Sequence, residues 1–310
     1  MKYIDRIREY LIPFSEKYAV SPWKLWGGVI WNCVIYKCSI RDYFTLGFPF
    51  LNRAGKKTFV TAKECMKFYN LKNDKMQAAI LDNKEELLHY LNKYVSREWC
   101  GQSYNASEQM YQLFTEKHSK CIVKPLEGSG GHGIEIVNCN ELEGNLFEYC
   151  KQKNAIAEEL IEQHPDIAKI YKYSVNTVRI FTLNKKTLGA VIRFGTGGST
   201  IDNASSGGIF APIDILTGVV SQGAYSFSIQ ETVIRHPDTQ YPIPGICIPY
   251  WKECVHMVEE ASELLDKLPL VGWDVAITKK GPVLVEANCE PEIPLLQIPS
   301  KYGIRNLLEI

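Results

Sequence analysis

The stretch VKPLEGSGGHGIEIV, residues 123–137, decides how the chain is read. A lysine ends one apolar run, four glycines fall within six residues, and a second alternating run follows at once. A surface turn needs only one or two glycines. The spacing fits neither G-x-x-x-x-G-K-[ST] nor a G-x-G-x-x-G that opens a helix. GIEIVN (133–138) reads as a strand, so the loop joins two strands of a hairpin. Glycine lets backbone N–H groups approach a phosphate closely, and Lys124 at the end of the first strand can add a point charge. The competing reading is a flexible hairpin with a structural lysine.

Two further clusters lie downstream. VGWDVAIT (271–278) and PVLVEAN (282–288) read as strands joined by the KKG turn. Glu286 and Asn288 are two apart and share a face, and Asp274 can sit across from them. Two carboxylates and an amide among Val283, Leu284, Val285 and Ala287 are expensive to bury without a cation. Hard oxygen ligands suit Mg²⁺, with nucleotide phosphates completing its shell; a solvated strand face is the alternative. SVNTVRIFTLN (174–184) and TLGAVIRFGT (187–196) form another hairpin, followed by a polar glycine-rich loop at 197–208. Its strands carry Arg179 and Arg193 among apolar neighbours, where an unpaired charge is costly. They need an anion: a structural carboxylate, a substrate carboxylate or a transferring phosphoryl group.

Taken in order, these motifs resemble the ATP-grasp superfamily over roughly residues 80–300. The resemblance rests on Lys-Pro before a glycine hairpin, an acid-acid-x-apolar hinge at Glu158, Glu159 and Ile161, and a final D…E-x-N. It implies two mixed α/β subdomains gripping ATP, within an α/β (α+β) class. LDNKEELLHYL resembles the segment that supplies the first ATP lysine, which makes that residue Lys84. Lys124 becomes the second lysine. The loop Glu127, Gly128, Ser129, Gly130, Gly131, His132 and Gly133 becomes the lid over the phosphates. The hinge holds adenine, and the ribose acid is left among Glu162, His164 and Asp166. Asp274, Glu286 and Asn288 hold one or two Mg²⁺ ions. The order R…R…N…GG is similar to the glutamate-ligase branch. It gives Arg179 and Arg193 the catalytic role and Asn203, Ser206, Gly207 and Gly208 the substrate. Gly272 stands where the D-alanine ligase branch has an arginine, so that charge must come from Arg179 or Arg193. YFTLGF and LNRAGKKTFVT ahead of LDNK look most like the sugar-transfer-associated ATP-grasp group, found with polysaccharide biosynthesis enzymes. The implied activity is an ATP-dependent carboxylate–amine ligase working through an acylphosphate. The favoured pairing joins an amine or amino acid to a uronic-acid carboxylate in capsule or O-antigen synthesis. The alternatives are a peptide ligase, a kinase on the same fold and a silent nucleotide-binding module.

The expected organisation is an N-terminal region at 1–100, a lid subdomain at 101–161 and a large subdomain at 162–310. Residues 1–37 read as helical, 43–61 as loop and short strand, and 71–99 as helical with Asp82 or Asn83 as cap. Residues 141–152 and 250–268 read as helices, and 154–161 as a strand. The 310 residues carry no net charge, which argues against nucleic acid as a partner. Ten cysteines without a C-x-x-C pair suggest reduced, mostly buried thiols in a cytoplasmic protein. The first residues lack the apolar core of a signal peptide. The histidines show no ligand spacing, and Cys289 has no paired base in sequence. One uncharged stretch, LWGGVIWNCVIY (25–36), is too short to span a bilayer. It reads as a buried helix or, with Trp23, Lys24 and Lys37 around it, as an interfacial helix making peripheral membrane contact through 23–36.

Overall fold

The computed structural model describes residues 3–128, 130–227 and 232–309, with side chains from Tyr10 onward; Ser129 of the glycine loop lies outside them. Four helices come first: α1 (Tyr3–Tyr18), α2 (Pro22–Ile35), α3 (Ile40–Thr45) and α4 (Arg53–Thr58). Leu11 and Phe14 of α1, Leu25 and Val29 of α2, and Tyr43 and Phe44 of α3 build a hydrophobic core of their own. Gly28 permits that packing, because a Cβ there would lie 2.1 Å from the Tyr43 hydroxyl. The strand expected within 43–61 is not formed. Ser39 and Asp42 close a capping box on α3, and the Asn52 side chain accepts from Gly55 N–H to start α4. Gly47 and Pro49 punctuate helices here, not strands. The buried-helix reading of 25–36 holds only for its inner face, since Trp23 and Trp31 are exposed.

The next helices are α5 (Ala62–Lys72), α6 (Lys75–Asp82), α7 (Lys84–Tyr90) and α8 (Asn92–Val95). Asn83 breaks what reads in sequence as one long helix. Its side chain accepts from Glu85 and Glu86 N–H and caps α7. Lys84 is thereby fixed at the first turn of α7, while Leu87, Leu88 and Leu91 are buried.

A four-stranded sheet follows. Its elements are β1 (Trp99–Cys100), α9 (Glu108–Lys117), β2 (Lys120–Pro125), β3 (Glu135–Asn138), α10 (Leu146–Lys153) and β4 (Ala155–Glu159). The strands run antiparallel in the order β1-β4-β2-β3. Cys121, Val123, Ala155 and Ala157 pack under Tyr111 and Phe114 of α9 and Leu146 and Cys150 of α10. Strand alternation then sends Ile122, Lys124, Ile156 and Glu158 to the opposite face.

The larger sheet is also antiparallel, in the order β7-β6-β5-β8-β9. Its elements are α11 (Pro165–Ala168), β5 (Val178–Leu183), β6 (Lys186–Phe194), β7 (Ile209–Ile213), α12 (Trp251–Leu264), β8 (Leu270–Thr278) and β9 (Gly281–Asn288). Two short helices, α13 (Pro294–Ser300) and α14 (Arg305–Leu308), complete the described residues. Cys254, Val258 and Ala261 of α12 join Ile180, Trp273 and Val275 in the main core. Thr182 lies on the same face and accepts from Trp273 Nε1 at 2.8 Å. The cross-strand partners Arg179 and Asp274, which alternate with these residues, therefore turn away from α12. No helix among the described residues is long and apolar enough to cross a membrane.

Candidate functional site

The free faces of the two sheets and the loops above them enclose a cleft of about 1600 Å³. That exceeds the roughly 300–1,000 Å³ of most small-molecule pockets, so it has room for two ligands. Its walls carry Lys84, Lys124, Glu127, Gly128, Gly130, Gly131, Glu158, Glu159, Ile161 and Glu162 on one side. Arg179, Arg193, Asn203, Asp274, Glu286 and Asn288 line the other. Three motifs far apart in sequence thus meet in one cleft.

The small-sheet wall holds a buried cluster with surplus positive charge. Lys124 Nζ lies 2.9 Å from Glu158 Oε1, and Arg97 Nη2 lies 2.6 Å from Oε2 of the same carboxylate. All three side chains are almost fully buried, so two cations share one anion. Burial pushes the Glu158 carboxyl up, but Arg97 and Lys124 outweigh it and hold it below the usual range. Burial and Arg97 together push the Lys124 ammonium below its ordinary value, against the pull of Glu158. The surplus positive charge faces the cleft and calls for an anion. Lys84 adds to it from the rim, where its Nζ donates to Gly128 O at 2.8 Å. Arg97 carried no sequence signal, because it sits in the irregular link between α8 and β1. It also donates to the carbonyls of Leu284 at 2.5 Å and Val285 at 3.3 Å, tying the small sheet to β9.

The glycine loop arches between these walls. Gly128, Gly130, Gly131 and Gly133 all have positive φ. At Gly131, with φ +79°, a Cβ would come within 2.6 Å of Ile201. Ser206 Oγ donates to Gly130 O at 3.4 Å, so the 197–208 loop meets the glycine loop from the large sheet. His132 and Gly133 are exposed and, like Ser206, Gly207 and Gly208, lie off the cleft wall.

The large-sheet wall holds the carboxylates. Asp274 and Glu286 are direct cross-strand partners, and Asn288 pairs with Gly272. Arg179 grips Asp274 with two bonds, Nε to Oδ1 at 2.5 Å and Nη2 to Oδ2 at 2.9 Å. Arg193 Nη2 reaches Asp274 Oδ2 at 2.9 Å, and its Nε stands 3.5 Å from Asp202. Thr177 Oγ1 donates to Asp202 at 2.5 Å and accepts from Arg193. Burial raises the Asp274 carboxyl, yet Arg179 and Arg193 prevail and keep it low. The arginines therefore do have a structural carboxylate. Glu286 has no ion-pair partner among the described residues: burial and the nearby Asp274 charge raise its pKa, against the weaker pull of Lys84, Arg179 and Lys124. The buried Asn288 Nδ2 has no hydrogen-bond partner among the described residues. An unpaired carboxylate beside an unspent amide is a donor set that fits a hard cation, provided that the amide presents its oxygen. Among the described residues no three His, Cys, Asp or Glu side chains cluster to hold a metal alone, so a cation here would need water or ligand oxygens to complete its shell.

Gly272 explains the shape of the arginine pair. A Cβ there would meet Pro291 at 2.6 Å and Arg179 Nη1 at 3.2 Å. The Arg179 guanidinium thus fills the space over residue 272. Of the three ribose-acid candidates, Glu162 lines the cleft and pairs with Lys279 at 2.8 Å. His164 caps α11, accepting from Asp166 N–H at 3.2 Å. Asp166 faces solvent, pairs with Lys169 and lies off the cleft wall.

Over residues 64–310 the sequence matches the family described as sugar-transfer associated ATP-grasp. A glutathione synthetase from Thermosynechococcus vestitus is 30% identical over 111 residues, 36% of this chain and 33% of that protein. The alignment thus spans about a third of that relative's length. Among solved structures, the ATP-grasp ligase PsnB complexed with a minimal precursor aligns with TM-score 0.48 and 13% identity, over 77% of this chain and 62% of that one. D-alanine–D-alanine ligase from Bacillus anthracis aligns with TM-score 0.44 and 12% identity, over 79% and 76%. The family match takes in Lys84, the glycine loop, the hinge, both arginine strands and the Asp274–Glu286–Asn288 hairpin, and the chain belongs to the sugar-transfer associated ATP-grasp family.

Proposed function

We propose that this protein is an ATP-dependent carboxylate–amine ligase working through an acylphosphate. One observation carries the reading: the buried Arg97–Glu158–Lys124 cluster leaves a positive charge facing the cleft, and across it stand the unpaired Glu286 and the unsatisfied Asn288 amide. Those two walls are what the triphosphate of ATP and a divalent cation need on opposite sides. Lys84, Lys124 and the N–H groups of the glycine loop orient the phosphates, while Leu160 and Ile161 cover the base. Glu286 and Asn288 would hold Mg²⁺; Asp274 would join them only by releasing an arginine. The ion, when bound, neutralises charge developing on the phosphates.

A substrate carboxylate oxygen attacks the γ-phosphorus and ADP leaves. An amine nitrogen then attacks the acyl carbon, inorganic phosphate departs, and the nitrogen loses a proton. Arg179 and Arg193 line the cleft beside Asp274 and offer N–H groups to the acylphosphate oxygens. Glycine-loop closure excludes water from that intermediate. We assign the acid half to a uronic-acid carboxylate of a surface-glycan precursor and the amine half to an amine or amino acid. The family's sugar-transfer association and a cleft larger than most single-ligand pockets support this. The reading includes a cytoplasmic location, supported by ten free cysteines, and a division at residues 1–100, 101–161 and 162–310. Each sheet falls within one of the last two segments apart from β1, which ends the first.

The test is a hydroxylamine trap. The protein is incubated with MgATP and a panel of uronic acids, nucleotide-linked uronic acids and amino acids, and phosphate and hydroxamate are assayed together. Hydroxamate with a uronic acid is the expected result. Hydroxamate only with amino acids or peptides makes it a peptide ligase. ADP with a stable phosphorylated alcohol makes it a kinase, and either outcome overturns the proposal.

A further inference from the structure

The N-terminal helices carry a surface that the cleft does not use. Along α2, Trp23, Ile30, Trp31, Val34 and Ile35 fall at helical spacing on one side, away from the packed Leu25 and Val29. That outer side is open: Trp23 is 81% exposed, Trp31 64% and Val34 71%. Lys24 and Lys37 bound the helix, and no charged residue lies between them. A helix apolar on both faces belongs in a core, yet no described residue covers this face.

Charge identifies what does. Residues 1–60 contain ten Lys and Arg against four Asp and Glu, a net +6. The whole chain is neutral with 35 of each, so residues 61–310 carry a net −6. One of the four acids, Asp42, is buried in the α3 capping box. Lys24, Lys37, Arg53 and Lys57 are exposed. Lys56 lies 5.9 Å over the Tyr36 ring, which sets α4 beside the end of α2. An apolar stripe bearing two tryptophans within a basic helical unit, on an otherwise acidic chain, matches the surface of an anionic bilayer. Indole rings favour the headgroup boundary, where the ring is apolar and the N–H stays wet.

We propose that α2 is an in-plane membrane contact. Trp23, Ile30, Trp31, Val34 and Ile35 enter the headgroup boundary of an anionic leaflet, and the surrounding lysines and arginines meet its lipid charges. The contact is peripheral and reversible. It stands apart from the ligase reading, because it concerns a face outside the cleft and is assayed without ATP.

The experiment is co-sedimentation of the full chain with phosphatidylcholine vesicles, with and without phosphatidylserine, for the native protein and a W23E/W31E variant. A thermal melt checks that the variant is folded. The native chain sediments with the anionic vesicles, less with neutral ones, and less again in high salt. The variant loses about tenfold or more in partitioning, since each indole kept in water forfeits at least that factor. Absence of native binding to anionic vesicles overturns the proposal. So does equal binding by a folded variant, which would move the contact off α2. A native dimer that the variant turns monomeric, with no vesicle binding, would give the face to a second copy of the chain instead. Failure of the hydroxylamine trap leaves this test unaffected.

Discussion

Replacing Arg97 by methionine tests the cluster on which the site is built. The change keeps most of the side-chain volume and deletes the guanidinium. Breaking a buried ion pair costs about 3–5 kcal/mol. Here Lys124 stays 2.9 Å from Glu158, so the carboxylate is not left alone and the lower end applies. The carbonyls of Leu284 and Val285 lose a shared donor as well, at about 1 kcal/mol each. The expected destabilisation is therefore about 5 kcal/mol. Arg97→Lys keeps the charge but not the fork that spans Glu158 and β9, and should fall about halfway. Equilibrium urea unfolding reads both. Combining Arg97→Met with Glu158→Gln should cost less than the sum, with a coupling of about 1–3 kcal/mol. A methionine variant within about 0.5 kcal/mol of the native protein, or strict additivity in the double variant, would refute the argument. A second readout follows from charge: with Arg97 gone, Lys124 and Glu158 cancel, and ATP binding should weaken even in protein that stays folded.

Other perturbations probe the remaining parts. Gly272→Ala drives a Cβ toward Pro291 and Arg179, so turnover should fall about tenfold to a hundredfold with ATP affinity kept; unchanged kcat would remove Arg179 from the reaction. Gly131→Ala strains a φ of +79° against Ile201 and should raise the loop conformation seen here by about 1–2 kcal/mol, read as a lower kcat, with any fall in melting temperature no larger than that strain. Because Glu286 holds its proton more tightly than an ordinary glutamate, Mg²⁺ affinity should weaken as pH falls below that raised value, by about tenfold per pH unit. Titrations that are flat with pH would take Glu286 out of the metal site. Glu158 and Asp274 behave oppositely. Their lowered pKa values give stability that is complete above the ordinary 4.5 and 3.8 and is lost as pH falls through the folded-state values.

Much of this site can be read from the chain because its elements obey local rules. The KKG turn starts the β8–β9 register, and counting from it would set Asp274 opposite Val285; a bulge between Asp274 and Val275, which counting does not give, moves it to Glu286. The cap reads as Asp82 or Asn83; Asn83 is the one formed, and it sets Lys84 on the rim. What escapes the sequence depends on long-range partners. Arg97 lies in no periodic element, and only the fold brings it to Glu158 and to β9 carbonyls some 190 residues away. The binding of both arginines to Asp274 is equally non-local, and among the described residues it leaves Glu286, not Asp274, as the carboxylate without a direct ion pair. Glycine and proline in 43–61 mislead because they mark helix boundaries as readily as strand ends. The outer face of α2 misleads for the opposite reason, since an uncharged run reads as buried whether or not anything covers it.

The most direct test is calorimetric titration of ATP into the native protein and Glu286→Gln, each with and without Mg²⁺. The account predicts that Mg²⁺ tightens ATP binding to the native chain. The variant should bind ATP alone about as well, lose the gain from Mg²⁺, and have no turnover while keeping its fold. A variant that retains the Mg²⁺-dependent gain, or turns over at a normal rate, would contradict the placing of the metal on the Glu286–Asn288 wall.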